Sequence, residues 1–158
     1  MTSYLNNLIQ YNIRESSTCV PTNVNAFKQL SCEYKFQIPC GSPDALVIEK
    51  VISSTEIIST HLIKTPQGTS ADGQTLTGYK AVTVGTLKVT VQYDSCNSND
   101  GINVVNYLIP FSVPIVVPCF YSEYSNILPS VDIEYLDVEL IDPRNIYISV
   151  AMLVAVEV

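Results

Sequence analysis

Tryptophan is absent from the 158 residues, histidine occurs once, at His61, and charged side chains make up only 15% of the chain against 47% hydrophobic ones. So little charge beside so much apolar surface excludes the disordered and coiled-coil classes. The balance of what charge there is runs acidic, eight Lys and Arg against fifteen Asp and Glu for a net charge of −7. Scattered cations on an acidic chain leave no electrostatic footprint for phosphates, so nucleic acid is not an expected partner. No uninterrupted apolar run approaches the roughly 20 residues of a spanning helix. The longest candidate, residues 146–158, contains Ser149 and Glu157, and no membrane partner is expected. Residues 1–7 lack both a basic n-region and an apolar h-region, which predicts synthesis in the cytoplasm without a secretory signal.

Paired cysteines are missing as well. Cys19, Cys32, Cys40, Cys96 and Cys119 lie too far apart for the C-x-x-C clusters of zinc sites, and neither a metal nor a cofactor is expected. Their number is odd, so in an oxidising setting at least one thiol has no partner within its own chain and becomes available to another chain. Cys19, Cys96 and Cys119, which fall in the arm, in a turn and in a connection, are the candidates for interchain disulfides. Cys32 shares a face with apolar neighbours and fits equally well as a small buried hydrophobe.

What is present is a β-forming composition, rich in Val, Ile, Thr, Ser and Tyr. Residues 1–26, with Pro21 and many Asn, Ser and Thr, show no sustained period and are expected to form an N-terminal arm; residues 27–158 are expected to form one domain. Leu30, Cys32, Tyr34, Phe36 and Ile38 alternate with polar residues, the pattern of a half-buried strand. Residues 46–63 are β-branched, with a break or bulge expected at Ser53-Ser54-Thr55 and two strands favoured over a helix. Residues 65–78 carry Gly68, Gly73 and Gly78 in a polar loop that superficially resembles a phosphate loop. The Walker pattern fails, because the loop leads into a strand with Leu87, Val89, Val91 and Tyr93 on one face, and no Gly-Lys-Ser/Thr opens a helix there.

Asn99-Asp100-Gly101 predicts a tight hairpin. The apolar stretch after it carries Pro110, Pro114 and Pro118, which assign it to a sheet edge or bend. Residues 119–129 suit a surface connection. In residues 131–140 the apolar set changes parity from Val131, Ile133 and Tyr135 to Leu136, Val138 and Leu140, as one inserted bulge residue would produce. Residues 146–158 form a strand apolar on both faces, and Val150, Met152, Val154 and Val156 are the candidates for contact with a neighbouring subunit. The whole predicts an all-β fold, an antiparallel β-sandwich or jelly roll of about seven to nine strands behind an N-terminal arm.

Catalytic chemistry has little to stand on. His61 lies in a strand-like run with no nucleophile motif nearby, and its expected place is a strand position facing solvent or capped by a neighbour. Asp132, Glu134, Asp137 and Glu139 could be imagined as a calcium site or a glycosidase pair. Calcium draws its ligands from a curved loop, and a sugar cleft is normally lined with aromatics including the missing Trp, so a solvated acidic strand face that discourages unwanted pairing is favoured. The chain is not expected to be an enzyme.

Several separated pieces together resemble a known family. Ser42-Pro43-Asp44 before an Ile/Val-rich strand, the glycine-bearing stretch from Thr65-Pro66-Gln67-Gly68 to Leu76-Thr77-Gly78, then Val84-Gly85-Thr86-Leu87 form the most distinctive block. Ile109-Pro110-Phe111-Ser112-Val113-Pro114 and Ile133-Glu134-Tyr135-Leu136-Asp137-Val138-Glu139-Leu140, continuing through Arg144 and Ile146, come next in order. This combination is similar to the SPOCS domain of bacterial spore-coat and spore-envelope proteins, over roughly residues 30–156. The resemblance implies a role in building the spore surface and brings no catalytic residues with it. Larger members carry tandem copies or a peptidoglycan-binding repeat, whereas a single copy stands here. The expectation is therefore a structural subunit that assembles with copies of itself, and with other spore-coat proteins, into a coat, exosporium layer or filament on the spore surface, joined through sheet edges and apolar strand faces, by exchange of strands or of the N-terminal arm, and by interchain disulfides. The alternative is a monomeric adaptor that docks another spore morphogenesis protein.

Overall fold

The computed structural model describes residues 9–14, 26–95, 101–119 and 126–157. Among the described residues the fold is all-β, without a helix. The strands are β1 (Gln10–Arg14), β2 (Ala26–Gln37), β3 (Ala45–Thr69), β4 (Thr75–Ser95), β5 (Ile102–Val116), β6 (Leu128–Asp142) and β7 (Asn145–Glu157). The six longer strands form two antiparallel sheets, one containing β3-β4-β5 and the other β2-β7-β6, and the short β1 joins the first in parallel, beside β3.

Period-two alternation decides which face of each strand goes inward. On β4, Leu87, Val89, Val91 and Tyr93 are fully buried, and β5 supplies Val105, Tyr107, Ile109, Phe111, Val113 and Ile115 beside them. The other sheet answers with Ile146, Ile148, Val150, Met152, Val154 and Val156 of β7 and with Val131, Ile133, Leu136 and Val138 of β6, in one continuous hydrophobic core. The Phe36 ring of β2 stacks on Tyr107 of β5 with centroids 4.4 Å apart, which ties one sheet to the other. Leu30, Cys32, Tyr34 and Phe36 pack against this core as their alternation predicted.

β3 is one strand of 25 residues, about 80 Å long at the usual rise. The expected break at Ser53-Ser54-Thr55 does not occur: Ser53 and Thr55 are buried on the inward face, and the pairing with β4 continues through them. The irregularities lie elsewhere, at Ala45/Val47, Ile48/Lys50, Ile57/Ser59 and Lys64/Gln67. The third has the clearest consequence. Between Val51 and Ile57 odd positions point inward; after the bulge Ser59, His61 and Ile63 pair with the outward-facing Val84, Val82 and Lys80. Leu62 thus turns toward the core beside Ala81, and His61 is exposed on the strand, the placement expected for it.

The expected glycine loop over residues 65–78 is mostly strand. Gln67, Gly68 and Thr69 pair with Thr77, Leu76 and Thr75, leaving a turn of residues 70–74 closed by Ser70 N–H donating to the Gln74 carbonyl at 2.9 Å. Gly73 occupies the left-handed region there (φ 87°), a conformation cheap only for glycine. β-branched residues on both arms carry the ladder closer to the turn than the polar composition suggested.

The opposite end of the molecule is held by Arg144 in the turn between β6 and β7. Its guanidinium donates to the carbonyls of Ser42, Ile38 and Pro39 at 2.6, 2.9 and 2.8 Å and pairs with Asp44 at 3.0 Å. Asp142 shapes the same turn, accepting the backbone N–H groups of Arg144 and Asn145 at 2.8 and 2.9 Å. Those bonds hold its carboxyl below the usual carboxylate range. Tyr93 completes the end by donating to the Pro43 carbonyl at 2.9 Å.

Candidate assembly interface

Among the described residues four strand edges close the two sheets: β1 over part of β3, then β5, β2 and β6. An unpaired edge exposes a row of N–H and C=O groups that another strand can bind, and natural sheets blunt such edges with charge or proline. Strand by strand, the edges differ in how far they are blunted.

β1 covers only the Lys50–Ser54 part of β3, with Gln10 opposite Lys50 and Arg14 opposite Ser54. Residues 10–14, expected to belong to the arm, are therefore part of a sheet. Tyr11 anchors this strand across to the second sheet: its hydroxyl donates to Asp137 Oδ1 at 3.2 Å and accepts the Val138 N–H at 3.2 Å. Burial pushes the Tyr11 hydroxyl up to about 12, opposed by the Val138 bond and reinforced by the Asp137 charge. Past Ser54 the β3 edge has no partner strand among the described residues, and it carries Glu56, His61 and Lys64.

β2 carries Lys28, Glu33 and Lys35. Gln29 reaches across the outer face to Glu134 on β6, with Nε2 3.2 and 3.3 Å from the two carboxylate oxygens. Tyr147 on the same face is bonded to Glu33, which raises its hydroxyl pKa. β6 carries the acidic row, and the inserted residue read from its parity change is present as a register shift between Ile133 and Tyr135. The row is not uniformly wet, however. Glu134 and Glu139 are exposed and Asp137 is half-buried, but Asp132 is only 7% exposed, and neither of its carboxylate oxygens has a hydrogen-bond partner among the described residues. Ser130, two residues earlier on the same face, is likewise buried with its hydroxyl unpartnered.

β5 differs from the other three because it contains no charged residue. Its inward residues belong to the core, and its outward positions include Ile102, Val104 and Leu108, 60%, 48% and 64% exposed. Pro110 and Pro114 lie further along the same outward face. Pairing with β4 runs without a register shift from Ile102 opposite Asp94 to Val116 opposite Lys80. An uninterrupted ladder tolerates proline only where its missing N–H would face away from the neighbour. Both prolines share one parity, so the even-numbered residues direct their backbone groups to the free side.

The residues singled out from sequence fall differently. Val150, Met152, Val154 and Val156 are all buried on the inward face of β7, and as core residues they offer no surface to a neighbouring subunit. The error is one of face: with both sides of the strand apolar, alternation alone does not tell which side the opposing sheet will cover. The outward set is Tyr147, Ser149, Ala151 and Leu153, half-buried, and Ala155, buried. Cys119 is an exposed free thiol in a turn, as is Cys40, and Cys32 is a half-buried free thiol against the core. Cys19 and Cys96 lie outside the described residues. The β5 outer face was missed as a contact surface, although its signal was present in the sequence: fifteen residues without a charge, apolar on both parities.

The chain matches no protein-family model, no curated protein and no solved structure.

Proposed function

We propose that this chain is a structural subunit, a β-sandwich of the two facing sheets, that assembles with copies of itself into a bacterial spore-surface layer or appendage. The single observation that supports self-association best is the uncharged β5 edge, apolar on its outward face, on a chain of net charge −7. An edge of this kind binds another strand through main-chain hydrogen bonds, with side-chain pockets setting register. β1 is an instance of the same device inside one chain, a short strand added to the edge of β3. The exposed Cys119 thiol offers a covalent lock once copies are brought together in an oxidising medium. The spore assignment rests on the resemblance of the Thr65-to-Leu87 block and the later strands to the SPOCS domain.

Sizing of the purified chain in solution, with and without reductant, tests this reading. Species larger than the 17.4 kDa monomer that persist in reductant, and that become resistant to dissociation without it, are the expected result. A monomer under both conditions at every concentration would favour the adaptor reading instead.

A further inference from the structure

We propose that the first contact between copies is a two-fold antiparallel pairing of β5 with β5 of a second copy, centred on Asn106, which joins two sheets into one. This inference rests on the self-assembly reading and gives it an interface and a register.

The choice of edge is set by charge. Two copies of a chain with net charge −7 repel one another, and like charges set opposite each other across a strand pair are destabilising. β6 would bring Glu134, Asp137 and Glu139 against their counterparts, while β2, and β3 past Ser54, carry charges of both signs that only some registers would match. β5 brings none. Its outward side chains Ile102, Val104 and Leu108 are large, apolar and exposed; the other edges expose such residues as well, Phe27, Ile58 and Tyr135 among them, but interleaved with charges.

The prolines and the matching of outward side chains together set the register. Even-numbered residues of β5 point their N–H and C=O groups away from β4, so donors are at Ile102, Val104, Asn106 and Leu108 in an unbroken run and at Ser112 and Val116 beyond it, and none is available at Pro110 or Pro114. Side chains directly opposite in an antiparallel pair share a face, so outward residues must meet outward residues. A symmetric pairing on Leu108 would set Asn106 against Pro110 and Ile102 against Pro114, losing donors inside the ladder. A pairing on Val104 would set Leu108 opposite residue 100, past the end of β5 at Ile102, and one on Val105 would set the apolar Val104 opposite the polar Asn106. Centred on Asn106, the seam exchanges bonds between the two Asn106 residues and between Val104 and Leu108 of opposite copies, with Pro110 only at each end, opposite Ile102. The proline positions fit this self-complementary, isologous contact. Val104 meets Leu108 on the outward face and Val105 meets Tyr107 beneath. In the same rows Lys88 lies beside Leu108 and Gln92 beside Val104, so no two like charges become neighbours across the seam. Asn106 is already positioned by Thr90, whose hydroxyl lies 2.6 Å from Asn106 Oδ1.

A charge exchange tests both the edge and the register. Val104→Lys and Leu108→Glu are each made singly and then together in one chain, and association is followed by sedimentation in reductant, with circular dichroism and thermal melting checking the fold. Both sites are exposed in the free chain, so folding is expected to be unchanged. Each single substitution is expected to weaken association at least tenfold. Together they place the new lysine of each copy opposite the new glutamate of the other, and association is expected to return. Undiminished association in the single variants would overturn the β5 contact while leaving self-assembly through another edge standing. Weakening in both singles without recovery in the double would overturn the Asn106-centred register. A wild-type chain that never associates would remove the self-assembly reading itself.

Discussion

Gly85 shows how much one side chain can decide. A Cβ at this position would lie 2.5 Å from Phe111 Cζ and 2.6 Å from the Glu56 carbonyl oxygen. Strand β4 therefore passes between its neighbours only because nothing projects from that residue. Gly85→Ala is expected to destabilise the fold by about 1–3 kcal/mol, the usual range for overpacking, as measured by denaturant unfolding. Adding Phe111→Leu should recover only part of the loss, because the carbonyl contact is backbone and stays. Full recovery would show that the ring alone sets the constraint. Tyr11 makes a second residue-scale case. Its hydroxyl titrates near 10 when free and is pushed to about 12 in the folded chain, so the neutral form is the one that docks. Its contribution is complete below about pH 10 and is lost as the pH rises through about 12. The stability difference between the wild-type chain and Tyr11→Phe should therefore shrink over that interval in an alkaline unfolding series. A difference unchanged at pH 12 would contradict the role assigned to the Tyr11 hydroxyl.

Elements were legible where alternation met a single buried face, and less so where it did not. Leu30 to Phe36 on β2 and Leu87 to Tyr93 on β4 could be assigned by period two, because one parity is apolar and the other is not. The β6 bulge was visible for the same reason, as a change of parity between Ile133 and Leu136. On β7 both parities are apolar, and the outward and inward sets were exchanged. Asp132 escaped for another reason: its burial depends on what lies over the outer face near Ser130, which no local pattern encodes. The bulge at Ile57/Ser59 left no signature in composition, since residues 57–63 are β-branched or apolar in nearly every register, yet it alone sends Leu62 inward and His61 out. The Arg144 staple also acts between elements, gathering the residue 38–44 loop onto the β6–β7 turn through three carbonyls and one carboxylate. Arg144→Ala is expected to cost about 2 kcal/mol, in the range for hydrogen bonds to a charged donor. Arg144→Lys should recover little of this, since an ammonium cannot reproduce the fork. Equal stability of the lysine variant and the wild-type chain in urea unfolding would show that charge, not geometry, is what matters at this corner.

For the whole molecule, the acidic chain keeps most of its charge on β2, β3 and β6 and leaves β5 bare. That distribution makes the edges unequal: β6 set against β6 opposes like charges, β2 and β3 carry both signs, and β5 alone brings no charge. The prolines at 110 and 114 then limit how far the edge can zip, which favours a defined contact over open-ended pairing. A two-fold contact closes on itself, so growth beyond a pair needs a further interface, and the β3 edge past Ser54, unpaired among the described residues, together with the exposed thiols of Cys40 and Cys119 offers material for one. Self-assembly is the proposal on which the rest depends, and electron microscopy of the purified chain, concentrated under oxidising conditions, decides it. Regular filaments, rings or sheets with a constant subunit repeat are the predicted image. A field of separate, uniform monomers would contradict it.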